Sequence, residues 1–323
     1  MHVTVLSTGG TIASTDGDDG ASPTKRGSEL VGAVPALEAY ADVDVDQVAQ
    51  VPSFEMDAET LESIGERVRE LDGNHGVDAV VITHGTDTME ETAYYLDAAI
   101  QPEIPVFVTG AQRRPDEYSP DGPSNLLTAF RAADAFSAHD GSGVFVAFNE
   151  AVHAARHVTK THTSKLEAFR SVGPGPVATV DRTGVALHRP PEGESDHVSN
   201  ASLEADVYTI KSGSAVTGDL IDAAVERGAD GLVVEGTGLG NVTTGIGTGV
   251  RDAIDQGVPV VITSRCLEGR LAPVYGGVGG GETLREHGVI FASDLPAQKA
   301  RIKLMLALAA YDTAEEIRQV FAG

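Results

Sequence analysis

A chain of 323 residues, 41% of them hydrophobic, can bury a sizeable core and is long for one domain but comfortable for two. Its 48 acidic residues against 23 basic ones leave a net charge of −25, which argues against nucleic acid or an anionic membrane as partner. A single cysteine, Cys266, excludes an intrachain disulfide and points to a reducing compartment; it is expected as a small buried hydrophobe.

Acid is spread along the chain, and only six of the 23 basic residues are lysines. Such charge repels itself in dilute buffer but is tolerable near 1 M salt, where the Debye length is roughly 3 Å. A halophilic protein is therefore predicted. The first residues run straight into a strand pattern, with no leader pattern ahead of it. The most apolar late stretch, 302–310, is short for a bilayer and holds Lys303. A cytoplasmic protein without membrane contact is expected.

In chain order, apolar runs predict strands over 3–6, 43–48, 79–82, 106–108 and 143–148. Helical spacing appears between them, at Leu61, Ile64, Val68 and Leu71 and again at Met89, Ala93, Leu96 and Ile100. Thr88 and Glu91 are spaced as a capping box that starts the second of these helices. Residues 15–28 hold Asp16-Gly17-Asp18-Asp19-Gly20 and no apolar pattern, so a mobile loop is expected there, in the place of a lid. Its acids lack the glutamate that closes a calcium loop.

Arg189-Pro190-Pro191-Glu192-Gly193-Glu194-Ser195-Asp196 has no periodicity and reads as a linker, 189–204. Strands over 205–211, 231–235 and 258–263 follow it, with helices over 215–227, 244–256 and 297–310. This alternation predicts an α/β protein. A larger N-terminal domain, 1–188, has a mostly parallel sheet flanked by helices, and a smaller C-terminal α/β domain covers 205–323.

Two turns carry the chemistry. Thr8-Gly9-Gly10-Thr11 follows the first strand, and Thr83-His84-Gly85-Thr86-Asp87-Thr88 follows the third. The carboxyl edge of a parallel sheet is where ligands bind. A threonine hydroxyl is a weak nucleophile and needs a neighbour to take its proton. Glycines beside it permit a tight turn and bring amide groups close to a ligand. Asp87 suits a cationic substrate group or the orientation of a lysine, and a lysine can act as base. By context that lysine is Lys160, in Arg156-His157-Val158-Thr159-Lys160-Thr161.

Plainer readings stand beside these. A Gly-Thr turn also serves purely structural ends, a lone Lys160 is most often a solvated surface lysine, and a lone Ser53 is an ordinary loop or cap residue. His153 and His157, four apart, would share a metal only on a helix and with a third ligand; ordinary loop histidines and no metal are expected. His84 reads better as a hydrogen-bonded packing residue than as a base. Gly236-Thr237-Gly238-Leu239-Gly240 is a poor match to a dinucleotide loop, and no Walker lysine motif exists. It keeps a nucleotide- or ligand-binding module open as a rival.

Taken together, the chain resembles the bacterial-type L-asparaginases, the threonine-dependent amidohydrolases. Both threonine turns match that family's signatures, and Asp121-Gly122-Pro123-Ser124-Asn125-Leu126, Val158-Thr159-Lys160-Thr161, Gly236-Thr237-Gly238-Leu239-Gly240-Asn241 and Pro296-Ala297-Gln298-Lys299-Ala300-Arg301 extend the match over nearly the whole chain. The resemblance implies that Thr11 is the primary nucleophile and that Thr86, Asp87 and Lys160 form a second triad. Lys160 would activate Thr86 or its bound water. Asp87 would also bind the substrate's α-ammonium, and Ser53 its α-carboxylate. Asparagine would pass through an acyl-enzyme to aspartate and ammonia, with loop amides stabilising the oxyanion.

Family members form tight dimers, usually paired into tetramers, so Asn241 and an acid near Glu282 would reach the neighbouring subunit's site. The partner would be a small amino-acid amide, and no metal or organic cofactor is needed. Two departures stand out. The family's lid tyrosine has no counterpart before Tyr40, and Phe54 replaces the glutamine that secreted relatives place after the serine, removing a polar contact to substrate. A nearer rival is the asparaginase-like subunit of a tRNA-dependent amidotransferase.

Overall fold

The computed structural model describes residues 1–17, 20–199 and 202–322, and the chain forms two compact units, Met1–His197 and Val198–Gly323. The first unit opens with β1 (His2–Gly9), the short hairpin β2 (Ser14–Thr15) and β3 (Ser22–Pro23), and α1 (Gly27–Gly32). It continues through β4 (Asp42–Val51), α2 (Ala58–Asp72), β5 (Ala79–Thr83), α3 (Met89–Ala99), β6 (Pro105–Thr109), α4 (Gly122–Ser137) and β7 (Gly143–Phe148). The short strands β8 (Ala151–Ala154), β9 (Val158–Lys160), β10 (Phe169–Ser171), β11 (Ala178–Val180) and β12 (Val185–Leu187) complete it.

Eight of these strands form one sheet in the order β12-β11-β8-β7-β6-β5-β1-β4. The five from β4 to β7 are parallel, and β8, β11 and β12 add on antiparallel. β5, β6 and β7 are buried along their whole length, which is why their sequences are continuous apolar runs rather than alternations. β4 alternates valine with aspartate and is only half-buried, as an edge strand should be. From β1 the chain first crosses to β4 on one side and then to β5 on the other. That reversal makes a switch point at the carboxyl ends of β1 and β5.

Helix α4 lays Leu126, Ala129, Phe130, Ala133 and Phe136 against this sheet at helical spacing. The ring of Phe136 meets Phe107 at 5.3 Å and Phe145 at 4.9 Å between centroids, both edge-on. Helix α3 is buried on nearly every face, so it shows no polar stripe.

Three sequence expectations in this unit change. Residues 15–28 are not a featureless loop: Thr15 pairs with Ser22, and the Asp16 amide donates to Asp116 at 2.7 Å. Asp18 and Asp19, part of that expected loop, lie outside the described residues. Thr88 precedes α3 but does not cap it. Its ψ of 14° departs from the extended backbone of a capping residue, and its hydroxyl donates instead to the Ser53 carbonyl at 2.7 Å. The expected linker 189–204 is held by the first unit along its first half. Arg189 donates to Glu194 at 2.6 Å and to the Pro174, Gly175 and Pro176 carbonyls, while the Ser195 amide donates to buried Asp97 at 3.0 Å.

The second unit is a four-stranded parallel sheet, β13 (Val207–Lys211), β14 (Gly231–Gly236), β15 (Val260–Ser264) and β16 (Ile290–Phe291), in that order. Its helices are α5 (Asp219–Glu226), α6 (Thr244–Asp255), α7 (Gly281–Glu286), α8 (Ala297–Ala310) and α9 (Ala314–Val320). Helix α5 starts later than the sequence suggested. Ala215 adopts a φ of 63°, outside the helical region, so the helix begins only beyond Gly218. Cys266, expected inside, is exposed in the loop after β15. No helix among the described residues is long and apolar enough to cross a membrane.

Candidate active site

The site grows from the strand ends at the switch point. β1 closes on Gly9 and Gly10, with φ of 105° and 77°, and passes into a single turn of 3-10 helix, Thr11–Ala13. A side chain on Gly10 would bring its Cβ to 2.2 Å from the Gly85 amide nitrogen. The two turns are thus in backbone contact, which only glycine allows. A Cβ on Gly85 would lie 2.5 Å from the Ser53 hydroxyl, and the Gly10 amide donates to the Val51 carbonyl at 3.1 Å. The loops after β1, β4 and β5 therefore meet, and they carry Thr11, Ser53 and Thr86.

Lys160 arrives from β9. Its Nζ donates to Thr86 Oγ1 at 2.7 Å and to Asp87 Oδ1 at 2.6 Å. The lysine side chain is 13% exposed and the aspartate 57%, so the pair spans from the interior of the site to its rim. Thr86 is buried. Ser53 is buried too, and its Oγ accepts from the Asp87 amide at 3.1 Å. Thr11 is half-buried, and among the described residues no side chain bonds to its hydroxyl.

His84 lies wholly inside, with Nδ1 at 2.6 Å from the Gly85 carbonyl and Nε2 at 2.9 Å from Thr92 Oγ1. Burial pushes its pKa down to about 4, so at neutral pH it is an uncharged brace under the second turn. The Asp121-to-Asn125 motif proves to be a second brace. Asp121 accepts from the Gln112 and Arg113 amides at 3.1 and 2.8 Å, and Asn125 donates to the Gly110 carbonyl at 2.9 Å. A Cβ on Gly110 would sit 2.3 Å from the His84 carbonyl, so this brace supports the Thr86 loop through its neighbour. The family resemblance picked out this stretch without revealing that task, since an Asp and an Asn four apart have no reactive signature.

The remaining candidates are placed as follows. Phe54 follows Ser53 and is 69% exposed. Tyr40 precedes β4, whereas Ser53 follows it; a ten-residue strand separates them by roughly 30 Å, so Tyr40 lies at the wrong end of the sheet for the site. Asn241 and Glu282 belong to the second unit and neighbour each other there: Asn241 Oδ1 accepts from the Gly281 amide at 3.1 Å, and Glu282 pairs with Arg285. The glycine turn at 236–240 closes on itself, with the Thr237 amide donating to the Asn241 carbonyl at 2.8 Å. That donor is spent inside the turn rather than offered to a phosphate. His153 lies on β8 bonded to Ser171, and His157 pairs with Glu194, so the two do not share one face. Among the described residues no cluster of three His, Cys, Asp or Glu suits a metal ion.

An α/β scaffold that gathers a lysine, an aspartate and two threonines at its switch point is a candidate site for hydroxyl-based nucleophilic catalysis. The family comparison agrees. The asparaginase N-terminal domain family matches residues 2–193, and the glutaminase/asparaginase C-terminal domain family matches 206–321. The chain belongs to the asparaginase family of amidohydrolases.

A probable L-asparaginase of Deinococcus radiodurans is 38% identical, covering 99% of this chain and 97% of that protein. A glutamyl-tRNA(Gln) amidotransferase component of Methanosphaera stadtmanae is 31% identical, over 99% of this chain and 74% of its own length. Among solved structures, a probable cytoplasmic L-asparaginase from Campylobacter jejuni superposes with a TM-score of 0.86 at 32% identity, covering 99% of this chain and 98% of that one.

Proposed function

We propose that this protein is an L-asparaginase, hydrolysing L-asparagine to L-aspartate and ammonia. The observation that carries the reading is Lys160 Nζ, held at hydrogen-bond distance from both Thr86 and Asp87 beside the turn that bears Thr11. Thr11 Oγ attacks the side-chain amide carbon, and backbone N–H groups of the two turns hold the oxyanion. Lys160 takes the proton of Thr86 or of its bound water, which relays the proton of the attacking group. Lys160 returns that proton to the amide nitrogen as the C–N bond breaks and ammonia leaves, and water then cleaves the resulting ester to free aspartate and Thr11. Asp87 binds the α-ammonium and Ser53 the α-carboxylate.

Asn241 and Glu282 serve the site of a neighbouring copy in this reading, within a homodimer or homotetramer. Exposed Leu239, Val274, Tyr275 and Val278 lie on the same loops and support an interface there. A cytoplasmic setting, molar-salt adaptation and the absence of a cofactor complete the proposal. The net charge of −25 opposes the tRNA-dependent reading.

Ammonia release from L-asparagine and L-glutamine, followed from dilute buffer to molar KCl, tests all of this. Faster release from asparagine, with activity rising toward molar salt, is expected. No release from either amide at any salt concentration would overturn the assignment. Activity that is highest without salt would overturn the halophilic part alone.

A further inference from the structure

Lys160 stands on β9, a three-residue strand whose partner is β10 and which lies outside the large sheet. Something else must set it against the Thr86 loop. The geometry points to Glu90 as the residue that positions Lys160, an inference that rests on the catalytic role proposed for that lysine.

Glu90 is the second residue of α3, and it is only 5% exposed. Its Oε1 accepts from the Lys160 backbone amide at 3.0 Å and from the Thr159 hydroxyl at 3.1 Å. Three and four residues earlier, the same segment supplies Asp87 and Thr86, which accept from the Lys160 Nζ. Both ends of Lys160 are therefore tied to one short stretch of chain. A lysine has a flexible four-carbon stem. Fixing the tip alone would let β9 slide, whereas fixing base and tip together leaves one placement. Misplacing a reacting group by about 1 Å costs about 10²-fold in rate.

The competing role is purely helical: an acid in the first turn stabilises α3 by its charge. That role needs charge but not reach. Two conservative variants separate the two roles. Glu90→Gln keeps the length and an acceptor oxygen without the charge. Glu90→Asp keeps the charge but falls one methylene short of β9. Positioning predicts that kcat falls less than about tenfold in Glu90→Gln and about 10²-fold in Glu90→Asp, with the loss in kcat rather than KM.

A second readout does not depend on hydrolysis. The rate at which an amine-acylating reagent modifies Lys160, followed by peptide mass spectrometry, should rise about tenfold in Glu90→Asp and stay near wild type in Glu90→Gln. A wild type that releases no ammonia would defeat the proposed function, yet labelling would still decide the role of Glu90. Glu90→Asp equal to or better than Glu90→Gln in kcat and in labelling would overturn the inference. Should Glu90→Asp fail to fold, the Gln variant decides: slow labelling supports positioning and fast labelling overturns it.

Discussion

The Thr86 loop and the Thr11 turn leave the sheet side by side, since β1 and β5 are paired with Ser7 opposite Thr83. Yet they are built differently. Thr86 is buried and bonded to Lys160, with Ser53, His84 and Thr88 bracing its loop. Thr11 is half-buried on one turn of 3-10 helix, with its hydroxyl bare among the described residues. Lys160, Asp87 and Thr86 are thus bonded together at one loop, while the other presents a hydroxyl beside it. A site divided this way depends on the contact between the turns, where Gly10 meets Gly85.

Removing either half should have the largest effect. Thr11→Ala and Thr86→Ala should each lower kcat by at least about 10³-fold, because each removes a step that binding alone cannot replace. Lys160→Met should fall as far as Thr86→Ala, and the double variant no further, since groups acting as one unit are not additive. Losses that multiply in the double variant would show that Lys160 and Thr86 act separately. Full activity in both threonine variants would remove the mechanism altogether.

A smaller effect tests the bracing under the second turn. His84 has its pKa lowered to about 4 by burial, from 6.5. In the window between those values the unfolded chain binds the proton and the folded chain does not. The stability this group contributes is therefore fully present above pH 6.5 and is lost as pH falls toward 4, by about 3 kcal/mol. Urea unfolding at constant salt should show this slope in wild type and a shallower one in His84→Gln. Parallel slopes would mean that the imidazole is not the group being titrated.

Much of this layout was legible in the sequence, and the reasons are physical. Buried parallel strands such as β5 and β7 announce themselves as unbroken apolar runs, and Gly-Thr turns directly behind them mark the sheet's ligand edge. Lys160 was singled out by context and by resemblance but its contact was not legible, because it joins residues 74 apart and spacing says nothing at that range. The bracing contacts of Glu90 and Asp121 were hidden for the same cause: a carboxylate that bonds backbone amides has no pattern of its own. The boundary between the two units falls within the expected linker, whose first half proline and glycine leave without periodicity although Arg189, Glu194 and Asp97 bond it to the first unit. Cys266 was misplaced because cysteine is among the most often buried residue types, whereas its loop leaves it and the neighbouring Leu267 exposed.

Thr88 gives the finest test, because its two readings predict different losses. As a capping residue, its replacement by valine would cost α3 about 1 kcal/mol of stability and leave substrate affinity alone. The structure instead turns its hydroxyl to the carbonyl of Ser53, the proposed carboxylate binder. Losing that bond should loosen Ser53 and cost about 1 kcal/mol of binding, roughly fivefold in KM with kcat nearly kept. A Thr88→Ser variant keeps the hydroxyl and should restore KM. If KM holds and only the melting temperature falls, the loop is braced by its own helix. If KM rises, the Thr86 loop is braced through Ser53 on the end of β4, the strand end that also holds the Thr11 turn by the Gly10–Val51 bond, and the proposed substrate binding and proton handling share one support.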